Sequence, residues 1–227
     1  MQEQKKMSEI DKSKITKLYL SYQRLTKLPD LSEYTNLKTL YCIGNQLTCL
    51  DNLPSTLIYL NCSMNKLKHL DNLPSNLKYL YCDSNNLEHL DNLPNNLINL
   101  VCSNNKLTHL DNLPNNLKKI NCSYNELTLL YNLPNNLKKI NCSYNKLIHL
   151  DNLPFNLIRL VCIGNQITHL NNLPNNLKDL NCSYNQLISL DILPSNLTIL
   201  ICSNNPFQYN FEPTLEKIHN YNSARQH

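Results

Sequence analysis

A perfect internal repeat constrains this chain more than any other feature of its sequence. Residues 112–125 read NLPNNLKKINCSYN, and the same fourteen letters recur at residues 132–145, twenty positions later. Self-similarity at a short fixed period is typical of solenoids, in which each unit packs only against its neighbours. The sequence therefore predicts a stack of similar coils rather than one or two globular domains.

The repeat extends over most of the chain. The first unit opens at Ile15, has twenty-two residues and carries Gln23 where later units have Asn. A truncated tenth unit opens at Leu197. Atypical end units are expected because a terminal coil has a neighbour on one side only. The eight intervening units of twenty start at Leu37, Leu57, Leu77, Leu97, Leu117, Leu137, Leu157 and Leu177.

Each unit contains one predicted β-strand. In the unit that opens at Leu77, the alternating Leu80 and Cys82 are expected to face the core. Tyr79 and Tyr81 are then expected on the opposite side of the sheet. The rest of the unit contains Pro and paired Asn, which favour turns and extended backbone over a helix. One unit alone cannot offset the entropy of ordering its backbone, so the coils must stack and pair their strands.

The unit resembles a leucine-rich repeat. Its consensus, LPxNLxxLxCSxNxLxxLDN, is similar to the short repeats of bacterial secreted effectors, which also carry Leu-Pro before the strand leucine. Its DNLP, NN and CSYN elements and the abundance of Asn resemble the leucine-rich-repeat proteins of giant DNA viruses of amoebae. The resemblance covers about residues 15–206. It implies a protein-interaction module that acts inside an infected host cell.

The expected fold class is a mainly β solenoid, the leucine-rich-repeat horseshoe, with a parallel sheet on the concave face and a turn-rich convex side. Residues 1–14 are polar and are expected to form an N-terminal lead-in or cap. Residues 15–206 are expected to form the solenoid of about ten units, and residues 207–227 a C-terminal cap.

The C-terminal segment breaks the repeat pattern. An aromatic cluster of Phe207, Tyr209 and Phe211 precedes the sequence EPTLEKIHNY, which predicts a short helix with Pro213 in its first turn. We expect this segment to cover the exposed core of the last coil. Docking of a partner by the helix is the alternative.

Asparagine recurs directly after each predicted strand. Its amide both donates and accepts hydrogen bonds, which suits bonding of backbone groups in the turn. We therefore interpret this row as structural. The row consists of Asn45, Asn65, Asn85, Asn105, Asn125, Asn145, Asn165, Asn185 and Asn205.

Cysteine recurs at an inward strand position, where the first unit has Leu20. A zinc or redox function is not predicted, because no C-x-x-C pair occurs and the strand spacing exceeds the separation that a disulfide requires. We interpret these residues as small core side chains. We expect Cys49, which lies outside the row, to be exposed. The row consists of Cys42, Cys62, Cys82, Cys102, Cys122, Cys142, Cys162, Cys182 and Cys202.

Histidine and aspartate form two further rows that could suggest metal ligands. The histidine row is interrupted by Leu129 and lacks carboxylates at ligand geometry, and the aspartates resemble no calcium loop. We predict no metal site, no cofactor and a solvated edge of aspartates. The rows are His69, His89, His109, His149 and His169, and Asp51, Asp71, Asp91, Asp111, Asp151 and Asp191.

Several functional classes are disfavoured. No nucleophile–base pairing, glycine-rich phosphate loop or H-E-x-x-H motif occurs, so we do not expect an enzyme. The net charge of +4 argues against a nucleic-acid binder driven by bulk charge. The first fourteen residues contain no apolar run, so we expect neither a secretory signal nor a membrane span, and an intracellular location in the host cytoplasm.

The outward strand positions are expected to carry recognition, because packing fixes the inward ones. They are aromatic in the first half of the predicted sheet and basic in its middle. Tyrosine and arginine are enriched at interface hot spots, and stacked basic residues favour an acidic peptide over a nucleic-acid backbone. The candidate protein-binding residues are Tyr59, Tyr79, Tyr81, Lys119, Lys139, Arg159, Tyr124 and Tyr144.

We therefore predict a monomeric, non-enzymatic interaction scaffold that binds a protein or peptide on its concave face. Three alternatives stay open: an inner face without a dedicated partner, a structural virion component, and a substrate-recognition adaptor of a ubiquitin-ligase system. The last follows from the bacterial resemblance, since those effectors often join their repeats to a cysteine-dependent ubiquitin-ligase domain. The residues after 206 do not resemble that domain.

Overall fold

Within residues 11–224, ten short parallel strands, one per coil, form one sheet, as the repeat predicts. The computed structural model describes residues 11–224, and the strands pair in chain order with matching positions of successive units side by side. The strands are β1 (Lys17–Tyr19), β2 (Thr39–Tyr41), β3 (Tyr59–Asn61), β4 (Tyr79–Tyr81), β5 (Asn99–Val101), β6 (Lys119–Asn121), β7 (Lys139–Asn141), β8 (Arg159–Val161), β9 (Asp179–Asn181) and β10 (Ile199–Ile201).

In the part of the chain that the structure describes, two helical elements flank the sheet. A 3₁₀ turn at Lys12–Lys14 precedes β1, and helix α1 (Leu215–Ala224) follows β10. The predicted lead-in of residues 1–14 lies outside the described residues except for its last four. No helix within residues 11–224 combines the length and apolar character needed to cross a bilayer.

The core consists of inward leucines and cysteines stacked from coil to coil. Leu80 and Cys82 are both 0% exposed, as the alternation predicts. Tyr79 and Tyr81 lie on the opposite side of the sheet and are partly or largely exposed. A further buried leucine, Leu87, lies at the start of the return path. Because each coil contributes the same apolar positions, the core is continuous from one unit to the next.

The asparagine row after the strands connects neighbouring coils, which confirms its structural role. The side-chain oxygen of Asn125 accepts a hydrogen bond from the backbone N–H of Leu107, in the preceding coil, at 3.0 Å. Its Nδ2 donates to the carbonyls of Cys102 in the preceding coil and Cys122 in its own coil, at 3.0 and 3.1 Å. One buried amide therefore satisfies backbone groups of two coils.

Two further asparagine rows explain why the chain is so rich in this residue. One lies before the strand, where Asn116 donates through Nδ2 to the carbonyl of Asn95 in the preceding coil at 3.0 Å. The other lies in the DNLP turn, where Asn112 has a φ of 53°. Asparagine tolerates this left-handed conformation better than most residues. The sequence predicts a ladder only for the row after the strand, and it predicts turns for the paired Asn.

The cysteine row is a ladder of buried, free thiols, as predicted. The Sγ of Cys82 donates to the carbonyl of Val101 in the next coil at 3.4 Å. Burial raises the pKa of the Cys42 and Cys122 thiols to about 12, so both are protonated at neutral pH. The prediction for Cys49 is wrong in degree, because its side chain is only partly exposed and its Sγ donates to a carboxylate oxygen of the neighbouring Asp51 at 3.2 Å.

The predicted C-terminal helix is present and packs on the last coils. Its first turn is capped by Thr214, whose hydroxyl accepts the backbone N–H of Lys217 at 3.3 Å, so Pro213 precedes the helix rather than lying in its first turn. Ile218 in this helix is fully buried. The Asn222 side chain donates to the carbonyl of Leu190 at 2.8 Å.

The aromatic cluster before the helix contacts the same coil. The Tyr209 hydroxyl accepts the backbone N–H of Leu190 at 2.6 Å, and the Tyr209 ring stacks on Phe207 and Phe211 at centroid distances of 5.3 and 4.9 Å. These contacts fit a cap over the end of the solenoid. The division of the chain at residue 207 stays a prediction.

Candidate protein-interaction face

The sheet face, defined as the outward side of β1 to β10, carries two side chains from every coil. The middle residue of each three-residue strand points into the core, and the first and third residues point outward. The pairing places Tyr59 beside Tyr79 and Lys119 beside Lys139. The face is therefore a grid of two rows in which neighbours are one strand spacing, about 4.8 Å, apart.

A tyrosine cluster covers the first four strands of the sheet face. The rings of Tyr19 and Tyr41 are parallel to within 2° with centroids 5.0 Å apart, and Tyr41 contacts Tyr59 at 5.1 Å. Tyr59 also contacts Tyr79 at 6.2 Å and Tyr81 at 5.2 Å. The structure thus brings together the predicted Tyr59, Tyr79 and Tyr81 and adds two tyrosines at the N-terminal edge. Throughout, the tyrosine cluster denotes these five residues.

The cluster is ordered by its contacts but open to solvent. Tyr19 is 63% and Tyr79 is 37% exposed. Partial burial in the middle of the cluster raises the pKa of the Tyr59 hydroxyl. At its C-terminal end, the Asn99 amide donates to the Tyr81 hydroxyl at 3.0 Å, which fixes the position of that ring.

A lysine block follows at the middle of the sheet, with one pair of lysines on the sheet face and one pair directly before the strands. It comprises Lys118, Lys119, Lys138 and Lys139, from the sequence LKKI that occurs in two successive units. All four residues are exposed, and Lys119 and Lys139 are register partners on β6 and β7. Lys118 and Lys138, which lie directly before the strands, were not among the predicted site residues. The sequence feature that points to Lys118 and Lys138 is the doubled lysine of LKKI.

Arg159 does not extend this block as a free cation. Its Nε lies 3.3 Å from a carboxylate oxygen of Asp179, its register partner on β9. The predicted stack of Lys119, Lys139 and Arg159 therefore consists of two unpaired lysines and one arginine engaged in an ion pair. The sequence contained the signal for this pairing, because residues twenty positions apart lie side by side.

Tyr124 and Tyr144 contact each other at the turns that follow β6 and β7. Their centroids are 4.4 Å apart with an interplanar angle of 17°, and the residues are 55% and 44% exposed. Both have a φ of 54°. The Tyr144 ring lies over Gly164 of the next coil, where an added Cβ would be 2.7 Å from Cδ1 of Tyr144. This pair is two coils away from the strands of the tyrosine cluster.

The histidine and aspartate rows form no ligand set. Within residues 11–224, no three His, Cys, Asp or Glu side chains have an arrangement that could hold a metal ion. The rings of His149 and His169 are 4.7 Å apart. Thr168 lies 3.0 Å from Nδ1 of His169, whereas the Nδ1 of His149 is buried without a hydrogen bond, since Ile148 takes the place of that threonine.

The aspartate row departs from the predicted solvated edge at one position. The Oδ1 of Asp111 is buried without a hydrogen bond, and the residue is only partly exposed. The other members, such as Asp71 and Asp91, are exposed. Their carboxylates lie 4.0 Å from the Nε2 atoms of His69 and His89, at the limit of an ion pair.

Comparison with known proteins places this geometry in a family. The family described as Leucine Rich repeats (2 copies) matches residues 13–55. The leucine-rich-repeat domain of a Shigella effector has a TM-score of 0.59 and 33% identity, over 75% of this chain and 70% of that one. The chain belongs to the leucine-rich-repeat family. No curated protein matches it significantly.

Two longer bacterial proteins have the same repeat architecture. The functional domain of InlJ from Listeria monocytogenes has a TM-score of 0.81 and 34% identity, over 91% of this leucine-rich-repeat protein and 47% of that domain. YopM from Yersinia enterocolitica WA-314 has a TM-score of 0.72 and 32% identity, over 87% of this chain and 48% of YopM. This leucine-rich-repeat protein thus spans about half the length of either.

These similarities confirm the leucine-rich-repeat assignment and the likeness to repeats of bacterial effectors. The InlJ structure is described as including a cysteine ladder, and the buried thiols from Cys42 to Cys202 form a ladder here. The likeness to proteins of giant viruses stays a prediction.

Proposed function

We propose that this leucine-rich-repeat protein is a non-enzymatic scaffold that binds a protein or peptide on its sheet face. Leucine-rich repeats generally mediate protein–protein interaction, which supports the class of function. The likeness to the effector domains of Shigella and Yersinia supports action inside a host cell.

The observation that carries the proposal is the tyrosine cluster. Tyrosine combines a large, rigid contact surface with a polar hydroxyl, and it is enriched among the residues that dominate binding energy at interfaces. Stacking of Tyr19 on Tyr41, and of Tyr41 on Tyr59, restricts the rings before any partner arrives. A surface whose side chains are already ordered loses less entropy when it binds.

The C-terminal helix is a weaker candidate for recognition. Its Ile218 is fully buried, and Asn222 is hydrogen-bonded to the last coils. The apolar side of the helix thus already packs against the last coils of the same chain. This disfavours the alternative in which the protein acts as a ubiquitin-ligase adaptor through residues 207–227.

Affinity capture from host-cell lysate with quantitative mass spectrometry tests the proposal. The test variant replaces three sheet-face rings, Tyr59→Ala, Tyr79→Ala and Tyr81→Ala. The control replaces three exposed rings outside the sheet face, and both variants are first shown to be folded by thermal melting. The control substitutions are Tyr131→Ala, Phe155→Ala and Tyr184→Ala.

Partners that are retained by the native protein and the control but lost from the sheet-face variant would support the proposal. Identical captures by all three proteins would move recognition away from the tyrosine cluster. Loss of the same partners from both variants would show that the capture depends on exposed aromatic side chains in general, and it would also contradict the proposal.

A further inference from the structure

The lysine block is a concentration of unpaired positive charge on a chain of modest net charge. Lys119 and Lys139 are adjacent in register, one strand spacing apart, and Lys118 and Lys138 precede them directly. Within residues 11–224, none of the four side-chain ammonium groups takes part in an ion pair or a hydrogen bond, and only the backbones of these lysines are hydrogen-bonded. Like charges side by side on neighbouring strands destabilise a sheet, so the fold itself gains nothing from this arrangement.

Acidic side chains elsewhere on this side of the molecule do not neutralise the block. Asp179 of β9 forms an ion pair with Arg159, with 3.3 Å between its carboxylate oxygen and Nε of the arginine. Asp83, which follows β4, accepts the hydroxyl of Ser63 at 2.6 Å. The positive charge of the lysine block is therefore available to a group from outside the chain.

Two oriented amides add donors to the same area. The Oδ1 of Asn121 accepts the backbone N–H and the hydroxyl of Ser123 at 3.2 and 2.8 Å. The Oδ1 of Asn141 is held in the same way by Ser143 at 3.1 and 2.7 Å. A backbone N–H can only donate, so each amide must keep its oxygen on that side and turn its NH₂ group away.

The area formed by the lysine block with Asn121 and Asn141 thus presents only hydrogen-bond donors. A surface of donors and positive charges matches groups that only accept hydrogen bonds and carry negative charge. The charge is spread over two coils and over two consecutive residues in each coil. This distribution fits several neighbouring carboxylates better than a single phosphate, for which the planar fork of arginine is the better partner.

We propose that the ligand of the sheet face is an acidic peptide segment whose Asp or Glu carboxylates lie on the lysine block. This inference rests on the sheet-face function proposed above and names the chemistry of its partner. The same segment reaches the tyrosine cluster with an aromatic side chain. Tyr79 on β4 lies in the same row as Lys119 on β6, two strand spacings or about 10 Å away, and an extended peptide covers that distance in about three residues.

The inference defines a probe. Two fluorescein-labelled peptides, Trp-Ser-Ser-Glu-Glu-Glu and its reverse, serve as probes. Each carries an aromatic side chain about three residues from the first of three carboxylates. A matched peptide has Gln in place of each Glu. Binding is measured by fluorescence anisotropy at low and at high salt, since an interaction based on exposed charges weakens as salt is added.

Two variants with equal charge separate the lysine block from bulk charge. The test variant is Lys119→Gln with Lys139→Gln, and the control is Lys66→Gln with Lys106→Gln, which are exposed lysines on the turn side of the coils. We expect the Glu peptide to bind the native protein and the control equally within about twofold. The test variant and the Gln peptide should each weaken binding by about tenfold or more at low salt.

Five outcomes would overturn the inference. Four are no binding of the Glu peptide in either order, equal binding of the Gln peptide, equal weakening in both lysine variants, and tighter binding of a peptide with phosphoserine in place of the central Glu. The fifth is stronger competition by a single-stranded oligonucleotide than by the unlabelled Glu peptide, which would assign the block to nucleic acid. The Glu peptide could show no binding while the variant Tyr59→Ala, Tyr79→Ala and Tyr81→Ala still loses partners in the affinity capture. That result would reject an acidic ligand but would support protein binding on the sheet face.

Discussion

The side-chain oxygen of Asn125 accepts the backbone N–H of Leu107 at 3.0 Å, so a residue of one coil satisfies the backbone of the coil before it. Leu107 is fully buried, and its N–H has no access to water. The same relation recurs along the asparagine row, for example between Asn145 and Leu127. The sheet and the asparagine row are thus two separate sets of hydrogen bonds between coils.

Replacement of Asn125 by Leu should destabilise the protein. The variant leaves the N–H of Leu107 without a partner in the core, at about 1–3 kcal/mol, whereas the carbonyl of Cys102 keeps the hydrogen bond from Asn105. The free energy of unfolding from urea denaturation measures this loss. Asn95→Ala is the control, because its exposed side chain makes no hydrogen bond and its removal should change stability by less than about 0.5 kcal/mol. An unchanged urea midpoint for Asn125→Leu would contradict the assigned role.

Thiol alkylation should distinguish Cys49 from the ladder. The ladder thiols are buried, and burial raises their pKa, whereas Cys49 is partly exposed. Only a thiolate that solvent can reach is alkylated at an appreciable rate. Iodoacetamide added to the native protein should therefore modify Cys49 alone, as read by peptide mass spectrometry, and all ten cysteines in urea. Early labelling of Cys102 or Cys142 would show that the core opens locally.

The ladder also predicts a steep loss of stability in alkali. The ordinary pKa of a cysteine is 9.0, and burial raises it to about 12 for Cys42 and Cys122 and to about 11 for Cys202. Above pH 9 the unfolded chain releases protons that the native state retains. The contribution is therefore complete below pH 9 and declines as the pH rises, by up to about 1.4 kcal/mol per pH unit for each thiol.

Thiolate absorbance and circular dichroism recorded during one alkaline titration test this linkage. We expect the thiolates of the buried ladder, as distinct from that of the partly exposed Cys49, to appear together with unfolding rather than before it. A variant with Cys122→Val and Cys142→Val should have a shallower pH dependence, because two of the linked protons are removed. Gradual thiolate formation with an unchanged dichroism spectrum would rule out the linkage.

The repeat period accounts for what the sequence could predict. It assigns residues such as Leu80 and Asn125 to equivalent places in every coil, so one unit with its neighbours defines the strands, the core and the first asparagine row. The register also places Arg159 beside Asp179, so their ion pair follows from the spacing of twenty residues. Interactions that occur in single coils were harder to predict. The burial of Asp111 depends on local packing that the period does not specify.

The candidate site was predictable only in outline. The register identifies Tyr59, Tyr79 and Tyr81 as neighbours, but the contacts to Tyr19 and Tyr41 depend on the side-chain conformations of five rings. The amide orientation of Asn121 likewise depends on a hydrogen bond within the turn. Such contacts are decided by rotamers, which spacing along the chain does not determine.

Gly164→Ala should destabilise the protein through two separate effects. Gly164 has a φ of 63°, and an added Cβ would lie 2.7 Å from Cδ1 of Tyr144. The left-handed conformation costs about 1–2 kcal/mol for a residue with a side chain, and displacement of the ring adds to this. Addition of Tyr144→Ala should remove the second part, so a double-mutant cycle should show coupling. Ser84→Ala, at the same turn position with a φ of 56°, is the matched control.

Tyr209→Phe tests whether the C-terminal segment caps the solenoid. The substitution keeps the ring but removes the hydroxyl that accepts the N–H of Leu190 at 2.6 Å. Leu190 is 2% exposed, so its N–H would lose its partner at about 1–3 kcal/mol. For Tyr209→Phe we expect a lower urea midpoint and faster amide hydrogen exchange at Leu190. The control Tyr184→Phe, which removes the hydroxyl of an exposed residue, should change neither. Unaltered exchange at Leu190 in Tyr209→Phe would mean that the aromatic cluster does not protect the last coil, and the cap would then have to depend on α1 alone.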